Sequence, residues 1–137
     1  MKYSLLLLAA ILISGCDVST TKPEGRFPAE QLAMGSKVFS TNCQICHGVE
    51  AQGIVKDWQN RQADGTLPAP PLNGTAHAWH HNDKVLMMTL NRGGIPLGGT
   101  MPAFKDVLSE EEKTAVLAYV KNLWPEELYQ AWSERNE

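Results

Sequence analysis

The sequence predicts a single all-α domain, and three observations carry that expectation. Apolar residues recur at helical spacing in several separate segments, strand-like alternation persists nowhere, and capping residues stand where those segments begin and end. A chain of 137 residues suits one ordinary domain with a leader or tail attached. With 43% hydrophobic and 20% charged residues, it is globular rather than disordered, collagen-like or multiply membrane-spanning. Its net charge of −3 argues against a nucleic-acid binder, which would show a basic face.

The first element is a leader. Lys2 supplies a positive start, and Leu5 to Ile13 is an unbroken apolar run. That run is too short for a bilayer-crossing helix, which needs about 20 residues, but it suits the apolar region of an export signal. It closes on Ile13-Ser14-Gly15-Cys16, which resembles the lipobox of bacterial lipoproteins. The resemblance implies that residues 1–15 are a signal peptide and that Cys16 becomes the diacylated first residue. The alternative is an ordinary cleaved signal, with Cys16 lost or left as a thiol. Asp17 resembles the signal that retains some enterobacterial lipoproteins in the inner membrane. Residues 16–27 are polar, contain Pro23 and Gly25, and read as a lipidated start with a flexible tether. From Asp17 to Phe27 the chain extends at most roughly 36 Å, which would keep the domain near the membrane surface.

The helical pattern starts at Pro28. Leu32, Gly35, Ser36 and Phe39 share one face, and two of them are small enough to let another helix approach closely. Val49 to Pro71 shows no period and is expected to be a long loop; a loop of that length in a compact domain is usually functional. A second helix is predicted over Asp83–Arg92, capped by Asn82 and stopped by Gly93. Gly93 to Pro102 forms another loop. Ser109 and Glu112 make a capping box for a helix with Val116, Tyr119, Val120, Leu123 and Trp124 on one face, broken by Pro125. Residues 126–137 read as a C-terminal surface helix and tail, outside a main domain spanning 28–125.

The chemistry concentrates at Cys43-Gln44-Ile45-Cys46-His47, a C-x-x-C-H pattern used for c-type haem attachment. Both thiols add to vinyl groups of one porphyrin, so they must project together while the adjacent His reaches the iron. A thioredoxin-like pair would need a βαβ setting, which this pattern lacks. A zinc site could be drawn from Cys43, Cys46, His77 and His81, but the gap between Cys46 and His77 is far longer than in a zinc finger. An ordinary disulfide is the blandest reading. For a sixth iron ligand the candidate is Met101, in Gly98-Gly99-Thr100-Met101-Pro102-Ala103-Phe104, where glycines bend the backbone and Pro102 stiffens it. Met34 lies on the helix leading into the haem motif, and Met87 and Met88 suit helix packing.

The order helix, C-x-x-C-H, Pro-Pro-Leu, Trp, helix, Gly-rich M-P-A-F and Tyr-bearing final helix resembles the class I (mono-haem) cytochromes c. The resemblance implies a cytochrome c fold of three to five helices wrapped around one covalently attached haem c. It implies crossing first and last helices, with Gly35 opposite an aromatic such as Tyr119. It also implies a proline carbonyl on the proximal imidazole, for which Pro70 in Ala69-Pro70-Pro71-Leu72 is the match, with Leu72 and Trp79 near the cofactor and Trp79 by a propionate. The stretch Val49 to Leu67 departs from the family pattern and suggests an insertion.

Outside that set, Arg61 or Arg92 either pairs with a propionate or, as is commoner for Arg, is solvated, and Trp58 either covers a haem edge or anchors its loop. His77, His80 and His81 cluster, but a second metal there lacks a carboxylate or thiolate partner. The expected function is single-electron transfer between redox proteins outside the cytoplasm, by a monomer anchored through Cys16 on the periplasmic side of a membrane. The alternatives are a haem enzyme or ligand sensor with a labile Met101, or a copper-handling accessory protein.

Overall fold

The computed structural model describes residues 25–136; Cys16 and the expected leader lie outside them. Five α-helices follow in order: α1 Ala29–Asn42, α2 Gln44–His47, α3 Asp83–Arg92, α4 Glu110–Asn122 and α5 Glu126–Asn136. Short 3-10 turns occupy Ala78–His80 and Ile95–Leu97. Apart from one parallel backbone bridge, Leu67 with Gly99, no strand occurs among the described residues.

The helix boundaries follow from local chemistry. Asn82 Oδ1 accepts the Val85 N–H at 2.9 Å and starts α3, while Gly93, at φ 73°, ends it. Ser109 Oγ accepts from Glu112 N–H at 3.1 Å, and the Glu112 carboxylate accepts from Ser109 N–H at 2.9 Å, so the capping box opens α4 as expected. No such side-chain cap starts α1; there the Pro28 carbonyl accepts from Leu32 at 3.0 Å.

The frame is the crossing of α1 and α4. A Cβ built on Gly35 would fall on the Ala115 carbonyl and 2.7 Å from the Tyr119 Cβ, so only glycine lets the helices approach this closely. Phe39, one turn further along α1, tilts against Tyr119 with ring centroids 5.4 Å apart. Val116, Val120 and Trp124 continue the buried stripe of α4 and the turn after it, and Trp124 donates its indole N–H to the Leu72 carbonyl at 2.8 Å.

Two stretches differ from their sequence expectations. The C-terminal helix is not merely superficial: Trp132 is 6% exposed, packs edge-on against Trp124 and donates to the His81 carbonyl at 2.8 Å. Arg26 and Phe27, expected in the tether, are pinned to the α4–α5 corner. Arg26 pairs with Glu126, donates to the Trp124 carbonyl at 2.8 Å and lies over the Tyr129 ring, against whose edge Phe27 also packs. Guanidinium and aromatic contacts outweigh a local sequence that has no helical period.

Candidate functional site

Helical geometry explains the spacing of the central motif. The Cys43 carbonyl accepts from Cys46 N–H at 3.1 Å and from His47 N–H at 2.9 Å, closing one turn. Positions i, i+3 and i+4 share a face of such a turn, so Cys43, Cys46 and His47 all border one cavity. Gly48, at φ 81°, then turns the chain away.

His47 is held at two points. Its backbone carbonyl accepts from Gly53 N–H at 2.7 Å, and its Nδ1 lies 2.9 Å from the Pro70 carbonyl. A carbonyl only accepts, so Nδ1 carries the proton and Nε2 keeps its lone pair. Burial lowers the imidazole below its usual pKa while the Pro70 bond pulls it upward; the net shift favours the neutral ring. Leu72 N–H donates to the Ala51 carbonyl at 2.7 Å, fixing the Pro-Pro-Leu segment against the loop that follows His47. Ala51 is itself fully buried at φ 54°, a left-handed residue that no sequence signal announces, since alanine is neutral in every pattern used to find turns.

Cys43 lies in apolar surroundings. Burial, reinforced by neighbouring Cys46, pushes its thiol up to about 11. A reactive redox thiol needs the opposite shift. Among the described residues no three His, Cys, Asp or Glu side chains are grouped to hold a metal ion, so Cys43, Cys46, His77 and His81 do not form a zinc site. Nor do the three neighbouring histidines: His80 lies tilted against Trp79, whereas His77 faces His81 edge-on and stacks on Trp58.

Met101 reaches the same cavity, and it is the one methionine among the described residues that lines it. Its carbonyl accepts from Gly94 N–H at 2.9 Å, and Phe104 N–H donates to the Leu90 carbonyl at 3.0 Å, folding this loop back on the end of α3. A Cβ on Gly93 would lie 2.5 Å from the Met101 carbonyl oxygen and 2.7 Å from the Pro102 carbonyl carbon. The glycines therefore permit close packing as well as a bend.

The cavity holds about 520 Å³, within the ordinary range of cofactor pockets. Its walls are mainly apolar, with Leu86 and Leu90 from α3 and Val116, Leu117 and Val120 from α4. Pro70 and Leu72 line it too, but Trp79 does not. Trp79 is turned toward Arg135, whose guanidinium lies 5.3 Å from its ring centroid. The tryptophan on the wall is Trp58, stacked on His77 at 5.3 Å. The tight 3-10 turn at Ala78–His80 separates neighbouring side chains in this way, sending Ala78 inward and Trp79 elsewhere.

Residues 30–120 match the family model described as cytochrome c oxidase, cbb3-type, subunit III. The chain belongs to this cytochrome c family. Its cofactor is haem c and its chemistry is electron transfer. Two curated relatives bear the description cbb3-type cytochrome c oxidase subunit CcoP. That from Azospirillum sp. (strain B510) is 32% identical over 95 residues, covering 69% of this chain and 29% of the relative. That from Rhodobacter capsulatus is 30% identical over 105 residues, covering 70% of this chain and 31% of the relative. The chain thus spans less than a third of the length of these relatives. No solved structure matches.

The residues fit the cofactor. Two thiols and an imidazole with its Nε2 lone pair free share one face, a thioether borders the same space, and the remaining wall is chiefly apolar.

Proposed function

We propose that this cytochrome c is a mono-haem electron carrier of the bacterial cell envelope and not an enzyme. Cys43 and Cys46 would be its thioether attachment points, with His47 and Met101 as axial ligands. The observation that carries the reading is the convergence of the C-x-x-C-H face and Met101 on one cavity. Bound there, haem c supplies a one-electron Fe(III)/Fe(II) couple.

The chain's own residues have distinct tasks. Pro70 fixes the tautomer and plane of His47 and makes its Nε2 a better donor. Met101 offers a neutral, soft sulfur that favours Fe(II) and raises the potential. Leu86, Leu90, Val116 and Val120 exclude water, which also favours the less charged oxidation state. With His47 and Met101 both holding the iron, no position would be left at which a substrate could bind. Without the leader and its Lys2 the chain carries a net charge of −4, which suits a redox partner with a positive docking patch, and the oxidase-subunit relatives support a respiratory partner. Among the described residues no helix is long and apolar enough to cross a membrane. The reading places the protein as a monomer on the periplasmic side, held to the inner membrane by a lipid on Cys16.

Visible spectra of the oxidised and reduced protein, followed by a potentiometric titration, test this reading. The expected result is a low-spin c-type spectrum, a one-electron transition and no carbon monoxide binding by the reduced protein at neutral pH. Ready binding of carbon monoxide would instead point to a ligand sensor or haem enzyme. Mass spectrometry of membrane-extracted protein should find acylated Cys16 at the N-terminus; a freely soluble, unmodified chain would refute the anchor.

A further inference from the structure

The loop between α2 and α3 contains a constructed lobe rather than slack chain. The Thr66 carbonyl accepts from Gln62 N–H at 2.8 Å, and the Gln62 carbonyl accepts from Gly65 N–H at 2.9 Å. Asp64 ties the interior, its carboxylate accepting from Thr66 N–H at 2.9 Å and from the Thr66 hydroxyl at 2.7 Å. Arg61 closes the lobe by donating from Nη1 to the Gly65 carbonyl at 2.7 Å. These bonds satisfy backbone groups that an unstructured loop would leave to water.

The lobe then reaches the Met101 loop. Leu67 N–H donates to the Gly98 carbonyl at 2.8 Å, forming the parallel bridge with Gly99. Gly98 is left-handed at φ 85°, and the Arg61 guanidinium lies against it: a Cβ there would sit 2.7 Å from Nη1. Each partner in this contact is three residues from a group that borders the cavity, Leu67 from Pro70 and Gly98 from Met101. Pro70 orients His47, so a single backbone bond links the support of the imidazole to the loop carrying the thioether. The other ties of that loop, Met101 carbonyl to Gly94 and Gly94 carbonyl to Gly99, run to the end of α3. The lobe supplies the second side.

We propose that residues 61–67 act as a strap holding Met101 at the cavity, with Arg61 and Leu67 as positioning residues working through Gly98. The inference rests on Met101 being the axial ligand. Moving Met101 out by opening this loop requires local unfolding in which the Leu67–Gly98 bond breaks and the Arg61 side chain peels away. An external ligand binds only the open form, so its apparent affinity rises in proportion to the open fraction.

The test is imidazole titration of the oxidised holoprotein, monitored by the near-infrared band that an Fe–Met bond produces. Arg61→Ala should raise the apparent imidazole affinity about two- to fivefold, because losing its bond to the Gly65 carbonyl loosens the lobe that presents Leu67 and uncovers Gly98. Arg61→Lys, which keeps the charge but not the planar contact with Gly98, should fall between. Lys56→Ala, removing an exposed charge from the same loop, should match the unmutated protein. Amide hydrogen exchange at Leu67 should quicken in Arg61→Ala without loss of helical circular dichroism. Unchanged imidazole affinity in Arg61→Ala, with the band present in the unmutated protein, would overturn the strap alone. Absence of the band from the unmutated protein would overturn Met101 as ligand and the strap with it.

Discussion

Gly35→Ala isolates the helix crossing on which the cavity depends. Two opposing effects decide its sign. Alanine gains about 1 kcal/mol over glycine in a helix interior. Against this, the new methyl group would fall on the Ala115 carbonyl and 2.7 Å from the Tyr119 Cβ, neither of which is a flexible side-chain tip. Relief requires the helices to part, loosening Phe39, Val116 and Val120 together; overpacking of this kind costs about 1–3 kcal/mol, and a backbone obstacle puts it at the upper end. The net loss should be about 2 kcal/mol, lowering the melting temperature by about 6–12 °C for a domain of this size. Gly65→Ala is the matched comparison, since a Cβ there meets nothing within 4 Å but the residue sits at φ 83°. It should cost about 1–2 kcal/mol from backbone strain alone. The assay is thermal unfolding of the holoprotein by circular dichroism. Because α1 runs directly into Cys43, Gly35→Ala should also alter Soret-region dichroism. A Gly35→Ala protein melting at or above the unmutated temperature would refute the close-crossing argument.

Met101→Ala should leave covalent haem in place, abolish the near-infrared Fe–Met band, lower the reduction potential and let the reduced protein bind carbon monoxide; retention of band and potential would assign the ligand to Met87 or Met88. Cys43→Ala combined with Cys46→Ala should make haem extractable by acid acetone or prevent holoprotein accumulation, while the unmutated protein should retain its pigment through the same extraction. Trp132→Phe removes the donor to the half-buried His81 carbonyl and should cost about 1 kcal/mol in denaturant unfolding; an unchanged midpoint would return α5 to a superficial role. Glu126 has its carboxyl held below the usual 4.5 by hydrogen bonds from Gln130 and Arg26, so its contribution to stability is present above that pH and is lost as pH falls through the lowered value. Glu126→Gln should therefore flatten the acid limb of melting temperature against pH below about 4.5, and an equal slope in both proteins would count against the Arg26 latch.

What was legible in the sequence was chiefly what is local. Asn82 with Gly93 and Ser109 with Glu112 each act within a turn or at one helix end, so the pattern alone locates α3 and α4. C-x-x-C-H is legible for the same reason, since a single helical turn aligns its three groups. The Pro70 contact is long-range and was legible only through family resemblance. Trp79, expected beside the cofactor, turns from the cavity that Trp58 lines, because its direction depends on how a three-residue 3-10 turn faces, which composition does not encode. Trp132 did leave a signal: Leu128, Tyr129 and Trp132 stand at helical spacing, an apolar stripe outweighed by the polar residues around it. Lys113, by contrast, is 1% exposed on α4, bonded to Asn91 and Glu110, where a lysine pattern would be read as solvent-facing.

The same packing bears on why this scaffold suits an electron carrier. A one-electron change is fast when few surrounding groups must move, and motion is costliest to suppress where polar groups lack fixed partners. Among the described residues no buried side-chain nitrogen or oxygen is without a hydrogen bond. His47 is fixed through both ring and backbone, and the Met101 loop is fixed through Gly94 on one side and Gly98 on the other. The apolar side chains of α3 and α4 that make up much of the wall have no dipole to reorient. Rigidity at His47 and Met101 is thus built from long-range backbone bonds, while the sequence motifs set only which atoms are presented. A substitution that spares every motif but frees one of those bonds should therefore slow electron transfer through larger rearrangement, even where ligation and potential are kept.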